Sequence, residues 1–264
     1  MSPHPVTMAV LLGSALVAGS NVHSVATSKY RVDVSNQSIV DLIAVPGAGG
    51  EQRTELGIAI FLSMTLNDTT GGKTLHAVVD SILKTDTSAA TSQATFDSAR
   101  GVAWHGVLSP EWKVTSLGPM GEANGSDAVR GILRNFYPHI RRGLKVGDSW
   151  TDTTESTDQS DAQTVSTRTV TNWSVTGSEA RGAVRALKIE AAFSQAQSGE
   201  VNSPGGSLAV DGTGQGTSTF YVGPNSEYLG GMTTMKGDLQ ISTPQLPEPI
   251  PVHTTNTVTV TAIK

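Results

Sequence analysis

The chain has 264 residues, no cysteine and a formal net charge of −5. The missing cysteine excludes disulfides, thiolate metal ligands, a thiol nucleophile and an amino-terminal lipidated cysteine. Charged residues make up 16% against roughly 25% in a typical domain, with Ser, Thr and Gly in their place, a composition that leans towards strands and turns. The densest basic group is Arg141, Arg142 and Lys145 at the end of a predicted helix, where the helix dipole accounts for it, so nucleic acid is not expected as a partner.

Residues Ser2 to Ser28 carry no Asp, Glu, Lys or Arg, and Val6 to Gly19 is an apolar run of h-region length. We expect residues 1–26 to be an export segment, cut after Ser20 or Ala26. As one helix the uncharged stretch would reach ~40 Å, so a retained membrane anchor is the alternative. Residues 27–264 then form a single β-rich domain on the periplasmic or extracellular side of the envelope.

Along that domain Tyr30, Val32 and Val34 alternate with charged residues, and Asn36-Gln37 reads as a turn. Glu55 to Leu66 has a clear period of two, with Leu56, Ile58, Ile60, Leu62 and Met64 on one face. Thr74 to Lys84 follows the turn Asn67 to Lys73 and completes a hairpin. Thr87 to Arg100 is small and polar, with Phe96 as its anchor. Strands are expected at Val102 to Leu108 and Trp112 to Leu117.

One helix is predicted over about 126–140. Ser126 serves as N-cap, and Val129, Ile132, Leu133, Phe136 and Ile140 form its apolar stripe. Strands resume near Val165 to Val175 and at Val184 to Gln197, with Leu187, Ile189 and Phe193 on one face. Gly199 to Gly216 reads as a glycine-rich excursion. Tyr228 to Ser242 and His253 to Ile263 close the domain. The expected fold is mainly β (α+β): a curved antiparallel sheet of ten or eleven strands, half-barrel or barrel-like, with the helix covering its open side.

Catalytic and metal motifs are weak. Gly71-Gly72-Lys73-Thr74 lacks the upstream glycine and the following helix of a phosphate-binding loop. Gly212 to Gly216 lacks the helix that a dinucleotide turn needs and reads as a flexible turn. No histidine pair has metal spacing, although His76 and His105 lie on strands that could meet. The acidic stretch Asp148 to Asp161 reads as a solvated loop; calcium would be its only natural ligand. No catalytic residue, metal site or cofactor is expected.

Val146-Gly147-Asp148-Ser149-Trp150, then Asp152, resembles the V-G-D-S/T-W segment of a β-rich family of exported bacterial proteins without assigned activity. In those the motif follows a helix and opens a second β-rich half. The resemblance implies an envelope location and carries over no catalytic residues. A curved sheet closed by helices is more remotely similar to bacterial carriers of lipids and lipoproteins. The sequence thus points to a non-catalytic protein holding an apolar small molecule or lipid. The candidate ligand-lining or core face is Leu56, Ile58, Ile60, Leu62 and Met64, with Leu187, Ile189 and Phe193. The alternative is an accessory subunit of a membrane protein complex.

Overall fold

The computed structural model describes residues 27–263, apart from 44, 46, 48, 87–92, 122–126, 142, 160–162, 204–205 and 225. The expected export segment and the expected N-cap Ser126 therefore lie outside the described residues. The strands are β1 (Thr27–Asp41), β2 (Glu51–Thr69), β3 (Gly72–Lys84), β4 (Ala103–Leu108), β5 (Val114–Met120) and β6 (Ser149–Gln159). They continue with β7 (Gln163–Arg181), β8 (Val184–Ser203), β9 (Gly206–Val222), β10 (Tyr228–Ser242) and β11 (Ile250–Ile263). The helices are α1 (Gln93–Asp97) and α2 (Asp127–Arg134).

All the strands join one antiparallel sheet in the order β5-β4-β3-β2-β1-β11-β10-β9-β8-β7-β6. The chain starts at the centre with β1 and meanders outward to the β5 edge. It then crosses to the opposite edge, β6, and meanders back until β11 pairs with β1. The sheet is not closed into a barrel: β5 and β6 are its two ends.

What fills the open side is the connector from β5 to β6. Its helix α2 is shorter than the sequence suggests, ending at Arg134 and not near residue 140. Two features stop it. Gly131 weakens the last turns, and the Asn135 side chain donates to the Gly131 carbonyl at 3.1 Å, ending the backbone ladder. Phe136, Tyr137 and Ile140 are nonetheless buried, so the apolar stripe is satisfied by extended chain beyond the helix.

The sheet wraps around this connector. Phe136 lies edge-on to Tyr30 of β1 at 5.0 Å and to Tyr228 of β10 at 5.5 Å. Tyr137 meets Trp112 at 5.1 Å, and its hydroxyl reaches Met64 Sδ on β2. Each edge-to-face pair contributes about 0.5–1.5 kcal/mol beyond area burial. Burial pushes the Tyr30 hydroxyl up to about 12 and raises Tyr137 and Tyr228 too, so all three stay neutral donors. Tyr30 donates to the Tyr228 carbonyl at 3.0 Å, tying β1 to the start of β10.

Three further expectations are corrected. Asn36-Gln37 is no turn: both lie inside β1, with Asn36 opposite Asn256 on one side and Leu56 on the other. Most of the acidic stretch is no loop: Ser149–Gln159 is edge strand β6, in full register with β7, while Asp148 sits in the turn before it and Asp161 lies outside the described residues. The alternating threonines of β6 tolerate the pleat, and one edge open to water hydrates the carboxylates. The glycine-rich excursion is strand as well. Gly199 belongs to β8 and Gly212, Gly214 and Gly216 belong to β9, at the period of one sheet face.

Candidate ligand-binding groove

The inner face of β7 to β11 and β1 forms a groove under the connector. The V-G-D-S-W segment backs the Trp173 side of the groove. Gly147 has φ +96°, which favours glycine, and it lets Asp148 N–H return to the Lys145 carbonyl at 3.1 Å. The Asp148 carboxylate accepts from Lys145 N–H at 2.8 Å, fixing the turn. Gly147 N–H and the Asp148 carbonyl then pair with Val175 at 2.9 and 2.8 Å, aligning β6 on β7. Trp150 consequently stacks on Trp173, 5.7 Å apart and 6° from parallel. Arg141 of the connector lies 5.6 Å from the Trp150 ring centroid.

The connector is fastened on both sides. Ile140 N–H donates to the Glu111 carbonyl in the β4–β5 turn at 3.0 Å. His139 Nδ1 is 3.5 Å from Asp152 Oδ2 on β6. Burial lowers the His139 pKa, against the hydrogen bond and charge of Asp152, which raise it. The imidazole is therefore neutral at pH 7.

Beneath the connector are two adjoining cavities. One, about 390 Å³, is lined by Val32 and Val34 of β1, Val258 and Val260 of β11, Ile132 and Phe220. The other, about 360 Å³, is lined by Trp173, Ala191, Phe193, Met235, Pro138 and His139. They share Asn135, Phe220, Thr233, Asn256 and Val258, so they adjoin along that row of side chains and together make up the groove. Its floor is shaped by missing side chains. A Cβ on Gly216 would lie 2.3 Å from Phe193 Cζ and 2.5 Å from the Thr234 carbonyl, so only glycine lets the Phe193 ring lie across β9.

The groove turns from apolar to polar along the strands. Thr154, Thr169, Thr171 and Gln195 line the end away from Val260. Ser218 is buried but satisfied, 2.9 Å from the Thr233 hydroxyl. Two polar atoms on the wall are different. Trp173 Nε1 and Asn256 Oδ1 are both buried and neither has a hydrogen-bond partner in the protein.

The residues singled out from sequence divide in space. Ile58, Ile60, Leu62, Met64 and Ile189 are core, each 4% exposed or less. Leu56 is half-buried against that core. Leu187 lines a separate cleft beside Ile140 and Leu144. Phe193 stands in the groove. Trp173, Phe220, Thr233, Asn256 and Val258 were not anticipated as lining residues. The signal for Asn256 was present: it is a polar residue on the same period-two face as Val258 and Val260.

No protein-family model matches the chain. No curated protein matches it either. Among solved structures the chain is similar to OccAB4 of Acinetobacter baumannii, with 8% identity, 92% of this chain and 100% of that chain covered, and a TM-score of 0.27. It is similar also to outer-membrane expressed OmpT of Vibrio cholerae, with 6% identity, 89% and 97% covered, and a TM-score of 0.20. Likeness at that level carries no functional argument. Thr217, Thr234, Thr257 and Ser35 run across consecutive strands on the outer face of the sheet, while the apolar side chains point inward. Strands that face lipid show the reverse pattern.

Other expected chemistry finds its place. His76 and His105 are direct cross-strand partners between β3 and β4. Among the described residues no cluster of three or more His, Asp or Glu could hold a metal ion. No described helix is long and apolar enough to cross a membrane.

Proposed function

We propose that the protein is a non-catalytic binding protein of the cell envelope, exported by its amino-terminal apolar segment, that holds an apolar molecule or lipid in the groove between sheet and connector. The observation that carries the reading is the pair of adjoining cavities between sheet and connector. Their volumes, about 390 and 360 Å³, fall within the usual ~300–1,000 Å³ of small-molecule sites. Valines and aromatic rings wall them, and a short helix with an extended tail roofs them. The location draws on Val6 to Gly19 and on the V-G-D-S-W resemblance.

The alternative is a structural or accessory subunit of a membrane-associated complex, held by its amino-terminal apolar segment; docking through the sheet edges finds less support. The β5 edge carries Pro119, which has no N–H to offer, and the β6 edge carries Asp152 and Glu155. Both ends of the sheet are thus guarded against an added strand.

Native mass spectrometry of protein purified from its own host tests the reading. A co-purifying apolar molecule is expected, and Val258→Trp, which fills the groove, should lose it while keeping the β-type circular dichroism. An empty wild-type protein that also takes up no apolar probe would dispose of the proposal.

A further inference from the structure

Resting on the binding reading above, the geometry points to a ligand class: a neutral amphiphile whose polar part carries both a hydrogen-bond acceptor and a hydroxyl donor, as in a monoacylglycerol. Fatty-acid anions and phospholipids are disfavoured. Three observations converge on it.

The first is the charge of the walls. No Asp, Glu, Lys or Arg is among the described residues lining either cavity. A carboxylate or phosphate placed there would lose its hydration and find no cation in exchange. His139 is the only titratable imidazole on the wall. Its charged form is opposed by burial, and its near neighbour Asp152 would repel an anion.

The second is the pair of unmatched polar atoms. Trp173 is 8% exposed, and its indole N–H, a donor only, has no protein acceptor. Asn256 Oδ1, an acceptor, has no protein donor. An unpaired buried polar group is costly, and the large majority of them in folded proteins are paired. Both residues, on β7 and β11, line the same groove, although these two atoms are covered in the ligand-free protein. A side-chain rotation that turns them to the groove would let a ligand carbonyl satisfy Trp173 and a ligand hydroxyl satisfy Asn256, so a head group with separated ester and hydroxyl functions suits the pair better than a single polar atom.

The third is polarity along the groove. Val32, Val34, Val258 and Val260 offer a dry end for an acyl tail. Thr154, Thr169, Thr171 and Gln195 offer uncharged hydrogen-bonding groups at the other. That gradient matches an amphiphile lying along the strands with its head towards β6 and β7.

The test uses the exported chain and displacement of the neutral fluorophore N-phenyl-1-naphthylamine by four competitors of one tail length: monolaurin, laurate, lauroyl lysophosphatidylcholine and dodecane. Monolaurin should compete at least tenfold better than laurate or the lysophospholipid. In Asn256→Leu and in Trp173→Phe that preference should fall at least fivefold, with dodecane competing as in wild type, which also reports an intact groove. Equal or better competition by laurate or the lysophospholipid overturns the ligand class and leaves the groove reading standing. So does an unchanged monolaurin preference in both variants. Absence of fluorophore uptake and of competition by any compound overturns the binding reading itself.

Discussion

His139 shows how much one side chain of the connector can control. Its ring is held between Asp152 on β6 and the body of the sheet, and Lys113 adds an unfavourable positive charge from the β4–β5 turn. Burial is the largest influence and lowers its pKa from the ordinary 6.5. The folded state therefore binds the proton less tightly than the unfolded chain. The stability linked to this group is fully present above about pH 6.5 and is lost as pH falls through the lowered folded value. Urea midpoints measured at pH 7.5 and 5.0 should drop on acidification in wild type, and His139→Gln should remove part of that drop. An identical acid loss in the variant would show that His139 does not report on the connector. At this scale the groove was only half legible in the sequence. Phe193 is an apolar residue on an apolar face and announces itself. Thr169 and Thr171 share the inner face of β7 with the buried Trp173 and Val175, but they are polar, and the single Val170 lies on the opposite face, so hydrophobicity alone does not pick them out as groove residues. Trp173 gave no sign that its N–H would be left without a partner.

The elements divide by how strongly local pattern and tertiary packing agree. β2 alternates cleanly and its apolar face lies in the core, as do Leu75, Ala77 and Val79 of β3; a register shift at Asp80 then turns the end of β3 over, burying Ile82 and exposing Leu83. β10 spans Tyr228–Ser242, the very segment the alternation marks. β6, the glycine-rich first part of β9 and the middle of β1 were hidden because acidic, glycine and asparagine residues read locally as loop or turn, whereas Thr217 to Val222 at the end of β9 reads as strand. Pairing on neighbouring strands overrides that preference, since Asn36 and Gly216 are held from both sides. The helix α2 fails in the opposite direction. Its stripe has helical spacing through Ile140, but the backbone unwinds after Arg134 while the same side chains remain buried. Burial, not helicity, is what the stripe encodes. Leu133 is fully buried at the end of α2. Truncation to alanine should cost about 2–5 kcal/mol, the range for large-to-small core changes, read from the denaturant midpoint. A cost below ~1 kcal/mol would mean that the connector rests on the sheet without being packed into it.

At the scale of the whole molecule the decisive feature is the seam between β1 and β11. There Lys29 lies opposite Ile263 and Val40 opposite Val252, so the first and last strands of the domain meet in the middle of the sheet. Every other strand pair is a neighbour in sequence. Forming the seam closes a loop of nearly the whole domain, and such non-local pairing slows folding. It also fixes the groove, because Val32 and Val34 on one side of the seam and Val258 and Val260 on the other form its dry end. A circular permutant tests this directly. Residues 263 and 27 would be joined by a short glycine-rich linker and the chain opened between residues 121 and 127. The seam then becomes a hairpin, and the strands follow the sheet order from β6 to β5 without a break. Stopped-flow refolding should be at least several-fold faster than in the natural order. Equilibrium stability should change little if the contacts of α2, Ile140 and His139 suffice to hold the connector in place. Equally slow refolding would show that the seam is not what slows folding. A permutant that folds but no longer takes up an apolar probe would show that the covalent bridge from β5 to β6, and not the sheet alone, keeps the groove in shape.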